Sequence, residues 1–137
     1  MPVIVANAQR EAVVNVAQMT RVARSAIRHL KIRTHSAFTI TFISSKTMRA
    51  LNRTFLRHDR PTDVLTFRYD GEPVVGEILI APQQARAYAK AHALSYQEEL
   101  ARYVVHGFLH WLGHEDRTAA QQRTMRAMEN QLLARCL

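Results

Sequence analysis

The sequence contains a single cysteine among its 137 residues, Cys136, so no disulfide can form within the chain. One free terminal thiol fits a reducing compartment. No apolar run approaches the roughly 18 residues that a membrane-spanning helix requires. The N-terminus also lacks the basic start and long apolar stretch of a signal peptide. These absences predict a cytoplasmic protein that is not associated with a membrane.

Internal repeats, linkers and low-complexity segments are absent as well. Hydrophobic residues make up 47% of the sequence and charged residues 22%, which is a globular composition. A chain of this length can bury one core but not two ordinary ones. The sequence therefore predicts that residues 1–137 form a single domain.

Acidic residues are scarce in the first part of the chain. Residues 1–60 contain eleven Lys or Arg against Glu11 and Asp59, a net charge of +9, whereas the remainder has eight basic and nine acidic residues, a net charge of −1. Most of the basic residues are arginines, whose guanidinium fork suits phosphate. The pattern is typical of a protein that binds a polyanion such as nucleic acid, and it fits a solvated basic surface equally well.

The spacing of apolar residues and turn signals predicts nine elements. Strands are predicted at 3–6, 37–43, 62–67 and 74–80, and the last two form a hairpin around a turn at 69–73. Helices are predicted at 9–30 with Asn7 as its cap, and at about 45–55, 82–92, 96–112 and 118–134. This order predicts an α+β or α/β-like fold in which about five helices pack on a mixed sheet of about four strands.

The helix predicted at 96–112 is apolar nearly all round, so we expect it in the interior. His106 and His110 occupy positions i and i+4 of this helix, which places both rings on the same side. A buried imidazole with an unpaired nitrogen costs about 1–3 kcal/mol. Both rings therefore need partners, and one metal ion satisfies both; hydrogen-bonded core histidines are the alternative.

Gly113 is predicted to end the helix in a left-handed conformation, so that the following residues fold back towards the two histidines. Asp116 is then the predicted third ligand and His114 its alternative. Cys136 as a fourth ligand is a further alternative to its interpretation as a free thiol. Two nitrogens, a carboxylate and an open position are typical of catalytic zinc, although nickel or iron would accept the same ligands.

Three segments resemble the motifs of the YbeY endoribonucleases. The run His106-Gly107-x-Leu109-His110 with Gly113 and Asp116 resembles that family's signature, His-Gly-x-Leu-His-x-x-Gly-x-Asp-His. Leu51-Asn52, followed by Asp59-x-Pro61-Thr62-Asp63-Val64-Leu65-Thr66-Phe67, is similar to its second motif. Gly76-Glu77-Ile78 resembles its strand motif. Length and element order also match, so the resemblance covers essentially the whole chain.

The resemblance implies a zinc-binding endonuclease specific for single-stranded RNA. Its substrate would be small-subunit (16S) ribosomal RNA, in maturation of the 3′ end and in ribosome quality control, and its partners would be components of the 30S subunit. In the family three histidines hold the metal. The first two align with His106 and His110, while the third aligns with Asp116, so this chain departs from the pattern there.

A second departure concerns the family's catalytic arginine, which aligns with Leu56. Arg57 and Arg60 are the nearest substitutes, and we expect one of them to stabilise charge on the transferring phosphate. Asp63 is a third candidate catalytic residue, which we expect to line the cleft that binds the substrate. The alternative for Asp63 is an Asx-type turn at the start of the strand. Phe67 and Tyr69 could stack on bases, although core packing is the alternative for Phe67.

Two other functions compete with the nuclease. The spacing of the predicted ligands also resembles zincin peptidases, which place a general-base Glu directly after the first histidine. Here that position is Gly107, so a peptidase would lack its base. The other competitor is a ribosome-associated assembly or RNA-binding factor whose metal is structural. This alternative is credible because the departures at Leu56 and Asp116 affect the catalytic arginine and a metal ligand of the family.

Overall fold

The computed structural model describes residues 2–33, 36–55, 63–69 and 74–137. Within these ranges the chain forms, in order, β1 (Val3–Asn7), α1 (Val16–His29), β2 (Ala37–Phe42), α2 (Ser45–Phe55), β3 (Val64–Arg68), β4 (Val74–Ile80), α3 (Pro82–Ala91), α4 (Tyr96–Trp111) and α5 (Ala119–Cys136). Four strands and five helices confirm the predicted α+β architecture. None of the helices in the described ranges is both long and apolar enough to cross a bilayer.

The four strands form one mixed sheet in the order β1-β2-β4-β3. β1 pairs with β2 and β2 with β4 in parallel, whereas β3 and β4 are antiparallel. The antiparallel pair is the predicted hairpin, with Leu65 opposite Leu79. Parallel neighbours need a crossover, and α1 supplies it between β1 and β2.

Side chains of the central strands alternate between two apolar clusters, as the two-residue period of a strand requires. Phe38, Ile40 and Phe42 of β2 lie with Ile78 and Ile80 of β4 in the main core, which α1, α4 and α5 complete. The intervening residue Leu79 belongs to a smaller cluster. That cluster also contains Leu65 of β3 and Met48 of α2, so the sheet has apolar contacts on both faces.

The first helix begins later than the sequence predicted. Asn15, not Asn7, is the N-cap, and its side chain accepts a hydrogen bond from the backbone of Gln18. Residues before it form a turn held by Gln9, whose Oε1 accepts from the backbone N–H groups of Glu11 and Ala12. Val13, which falls within the predicted helix 9–30, therefore precedes the observed helix and is 79% exposed.

Helix α4 lies at the centre of the molecule, as its apolar composition predicted. It packs on α1, α3, α5 and two strands of the sheet. Gly107 permits the close approach to β4, because a Cβ at that position would lie 2.6 Å from Cγ2 of Ile78. The contact places the middle of α4 directly against the sheet. It therefore fixes the position, relative to the sheet, of the residues on either side of Gly107.

Candidate metal centre

Two histidines of α4 lie one above the other at the edge of the core. Ser95 begins the helix, since its side chain accepts a hydrogen bond from the backbone of Glu98. The His106 and His110 rings have centroids 4.5 Å apart and are nearly perpendicular, at 77°. Both side chains are partly exposed, at 22% and 30%. The helix therefore places two imidazoles at the edge of the core, where solvent can reach them.

Gly113 ends α4 in the conformation that the sequence predicted, with φ of 101°. The backbone N–H of Gly113 donates to the carbonyl of His110, and that of His114 donates to the carbonyl of Leu109. These two bonds form a Schellman motif, which reverses the chain immediately after the helix. The turn brings Asp116 back beside the two rings.

The side chain of Asp116 meets both imidazoles at one point. Its Oδ2 lies 3.5 Å from Nε2 of His106 and 3.5 Å from Nε2 of His110. All three ligand atoms lie within 4.8 Å of one another. Tetrahedral zinc with bonds of about 2.1 Å separates its ligands by about 3.4 Å, whereas a good hydrogen bond is shorter. The donor set and its spacing therefore fit a divalent metal ion.

The segment that carries Asp116 is also held from its far side. Thr118 caps α5 in a capping box with Gln121, and Oε1 of Gln121 accepts from the backbone of Arg117 as well. The side chain of Gln122 donates to the carbonyl of Asp116 at 3.1 Å. The turn between α4 and α5 is thus fixed at both ends by hydrogen bonds within the protein.

A residue that the sequence reasoning missed contacts the first histidine. Oε2 of Glu129, in α5, lies 2.5 Å from Nδ1 of His106, and its other oxygen accepts from Nη1 of Arg102 at 3.1 Å. Glu129 is 4% exposed. A sequence signal existed, because Glu129 interrupts the buried stripe formed by Met125, Leu132 and Leu133. A carboxylate in such a stripe needs a buried partner.

Electrostatics favour a neutral ring at the second histidine. Burial lowers the pKa of His110 below its usual value, and the neighbouring His106 lowers it further. The carboxylate of Asp116 acts on this pKa in the opposite direction. Since a metal binds the neutral imidazole, a lowered pKa keeps the ligand form available at neutral pH.

Asp63, the residue directly before β3, contacts α4 on the face that carries the two histidines. Its Oδ2 accepts a hydrogen bond of 3.0 Å from the hydroxyl of Tyr103, one turn before His106. Burial raises the pKa of Asp63, while the bond from Tyr103 and the charge of His106 lower it. Burial also raises the pKa of Tyr103 well above its usual value, so the hydroxyl stays protonated and donates.

The other predicted site residues have different placements. Arg57, Arg60 and the departure at Leu56 lie outside the described residues. His114 is exposed and is not part of the ligand group found among the described residues. The exposed Tyr69 donates from its hydroxyl to Glu77, and the half-buried Phe67 packs against the smaller cluster. Cys136 is a free thiol, as predicted.

Comparison with known proteins adds an independent finding. The family model described as Endoribonuclease YbeY matches residues 4–136. A relative from Geobacillus kaustophilus, named Endoribonuclease YbeY, is 37% identical over 70% of this chain and 70% of its own length. One of the same name from Pelotomaculum thermopropionicum is 31% identical over 98% of this chain and 97% of its own length.

A solved structure matches the fold. The solution structure of a protein from Thermotoga maritima superimposes with a TM-score of 0.67 at 23% identity, covering 98% of this chain and 88% of that one. The family match includes all of α1 to α5 and the three converging side chains. The chain therefore belongs to the YbeY endoribonuclease family.

Proposed function

We propose that residues 1–137 form one zinc-dependent endoribonuclease domain that cleaves single-stranded RNA in the cytoplasm. Its biological substrate would be 16S ribosomal RNA, in maturation of the 3′ end and in ribosome quality control, together with 30S components. Family membership supports RNA cleavage. The observation that carries the metal dependence is the convergence of His106, His110 and Asp116.

The three converging side chains would hold the ion through Nε2 of each histidine and Oδ2 of Asp116. When bound, the divalent ion supplies Lewis acidity, which polarises a phosphoryl oxygen and lowers the pKa of water. Two nitrogens and one oxygen suit zinc, and nickel or iron would accept the same donors. The third ligand is a carboxylate, where the family motif has a histidine, so this site carries one more negative charge.

Asp63 would act on protons beside the ion. Its Oδ2 is engaged by the hydroxyl of Tyr103, which fixes the orientation of the carboxylate and leaves Oδ1 for the substrate. The raised pKa of Asp63 brings it closer to that of an effective general base. In this proposal Oδ1 accepts the proton of the attacking group when the phosphodiester bond is broken.

The RNA backbone would be held by basic side chains of the first half of the chain. Lys46, Arg49 and Arg53 lie at successive turns of α2 and are exposed. Arg57 or Arg60 would stabilise the charge that develops on the transferring phosphate. Tyr69, a residue that is 43% exposed, would offer a ring on which a base stacks.

The structure weighs against a peptidase. Zincin peptidases carry their general-base Glu directly after the first histidine of the metal helix, where this chain has Gly107. Gly107 lies so close to Ile78 that even a Cβ there would force a neighbouring group to shift. A peptidase base at this position would have to displace Ile78 or α4, and this chain has no carboxylate there.

One experiment tests the proposal. Purified protein is analysed for bound metal, stripped with chelator, reloaded with zinc and assayed on single-stranded and double-stranded RNA and on a peptide library. We expect cleavage of single-stranded RNA only, lost on stripping and restored by zinc. His110→Ala should lose metal and cleavage together. RNA binding without cleavage by the zinc-loaded protein would instead identify an assembly factor with a structural metal.

A further inference from the structure

We infer that Glu129 is the positioning residue of the metal centre: it fixes the tautomer and the orientation of His106, and Arg102 holds it in place. The inference builds on the proposed metal site but concerns a residue outside the ligand set. Glu129 reaches the site from α5, 23 positions after His106 in the sequence. It offers no ligand atom to the converging group.

The hydrogen bonds of Glu129 determine which nitrogen of His106 carries the proton. Oε2 of Glu129 faces Nδ1, and Oε1 accepts from Arg102. An ionised carboxylate only accepts hydrogen bonds, so Nδ1 of His106 must be the donor. Nε2 then bears a lone pair directed at Asp116, which is the form that binds a metal. A carboxylate behind a ligating histidine is the usual way to set this tautomer.

Arg102 makes the arrangement sustainable in the interior. An unpaired buried carboxylate is strongly destabilising, and Glu129 is nearly inaccessible. Nη1 of Arg102 donates to it at 3.1 Å from a side chain that is itself 11% exposed. Glu99 lies on the other side of the guanidinium, with Oε2 at 3.8 Å from Nε, an ion-pair distance too long for a hydrogen bond.

This placement gives α5 a role at a site to which it contributes no ligand. Glu129 lies one turn from Met125 and from Leu132 and Leu133, all of which are buried against the core. That packing holds the backbone of Glu129 beside α4, within hydrogen-bonding reach of His106. Packing of α5 on α4 therefore sets the angle of the His106 ring, which a flexible surface carboxylate could not do.

The first measurement uses the wild-type protein without metal. Long-range proton–nitrogen correlation spectra at pH 8 distinguish a histidine protonated at Nδ1 from one protonated at Nε2. We expect His106 as the Nδ1–H tautomer. The Nε2–H tautomer, which predominates in a free histidine, would overturn the inference, and this result does not depend on catalysis or on a folded variant.

The second measurement compares Glu129→Gln with Glu99→Gln. Both remove a buried carboxylate near Arg102, but only Glu129 contacts His106. We expect Glu129→Gln to lower zinc affinity by about 10–100-fold, measured by chelator competition. The optical spectrum of its cobalt-substituted form should change, and the tautomer signal of His106 should shift or broaden. Glu99→Gln should keep the wild-type spectrum and tautomer.

Equal zinc affinity and identical cobalt spectra for wild type and Glu129→Gln would contradict the positioning role. So would equal losses in both variants, since that would indicate only the general effect of a missing buried charge. Failure of the proposed nuclease would look different. The wild-type protein would not cleave RNA, yet the tautomer of His106 and its dependence on Glu129 would remain as described.

Discussion

The hydroxyl of Tyr103 donates a 3.0 Å hydrogen bond to Oδ2 of Asp63, and this bond joins α4 to the residue directly before β3. Burial is the largest influence on the carboxylate and raises the pKa of Asp63 above its ordinary 3.8. A raised pKa in the folded protein stabilises the fold fully below pH 3.8, and this contribution is lost as pH rises through the folded value. The ionised carboxylate of Asp63 therefore costs the fold some stability near neutral pH.

We predict that Asp63→Asn separates stability from activity. Urea unfolding between pH 3 and pH 7 should show the variant gaining stability relative to wild type as pH rises, because this carboxyl no longer ionises. RNA cleavage should fall by about 10²–10⁴-fold, the usual contribution of a general base. Unchanged cleavage would remove Asp63 from the mechanism. Tyr103→Phe is the companion variant, with a loss of about 1 kcal/mol in stability.

A second prediction concerns the third ligand. Asp116→Ala should abolish zinc binding, whereas Asp116→His should retain it, because an imidazole nitrogen is also a zinc donor. The neutral ligand would raise the Lewis acidity of the ion, so we expect Asp116→His to cleave RNA faster than wild type at saturating zinc. His114→Ala is the matched control, and metal analysis should find it fully loaded. Zinc loss in that variant would make His114 the ligand instead.

Gly107 supports a third prediction. Gly107→Ala places a methyl group 2.6 Å from Cγ2 of Ile78 and should destabilise the protein by about 1–3 kcal/mol. Ile78→Ala in the same chain should relieve the clash, so the double variant should lose less stability than the sum of the two. Denaturant unfolding of the four proteins measures this coupling.

Gly113→Ala is the control for that cycle. A Cβ at position 113 meets nothing within 4 Å, and only the positive φ opposes it. The cost should be about 1–2 kcal/mol, from backbone strain alone. In a double variant with Ile78→Ala, the two losses of stability should be additive. Additive losses for Gly107→Ala as well would contradict the close helix–sheet contact.

The fourth prediction tests the RNA surface. Removal of both Arg49 and Arg53 from α2 by alanine substitution should weaken binding of single-stranded RNA equally for all sequences. The slope of log affinity against log salt should become shallower by about 1.4, at 0.7 per lost phosphate contact. Arg21 and Arg24 of α1, exposed at a similar spacing, serve as the matched pair. An equal effect at both pairs would indicate a diffuse basic surface.

Much of the fold and the ligand group could be predicted from the sequence because the signals are local. The i, i+4 spacing puts His106 and His110 on one side of a helix, and Gly113 is next to the turn that it permits. The predicted start of α1 was wrong because the signal that decides it is not local to either asparagine. A turn held by Gln9 precedes the cap at Asn15, and Asn7 instead extends β1 by pairing with Phe42. Cap propensity alone cannot distinguish these two asparagines.

Glu129 was missed because its partner lies in another helix. No residue near Glu129 in the sequence indicates that α5 packs against α4 with Glu129 facing His106. The same applies to the bond between Asp63 and Tyr103, which are 40 residues apart. Interactions of this kind depend on how elements pack, and packing is a property of the whole chain.

The end of α4 is also locked to the sheet. Nη1 of Arg68 donates to the carbonyl of Trp111 at 2.7 Å, its guanidinium lies 4.2 Å from the centre of the indole ring, and the indole N–H donates to Val75. A polypeptide that braces its own binding residues differs from a zinc finger, which is unfolded until its ion arrives. Removal of the ion by a chelator should abolish RNA cleavage and leave thermal unfolding cooperative. The ion would then bind to and leave a protein that is already folded.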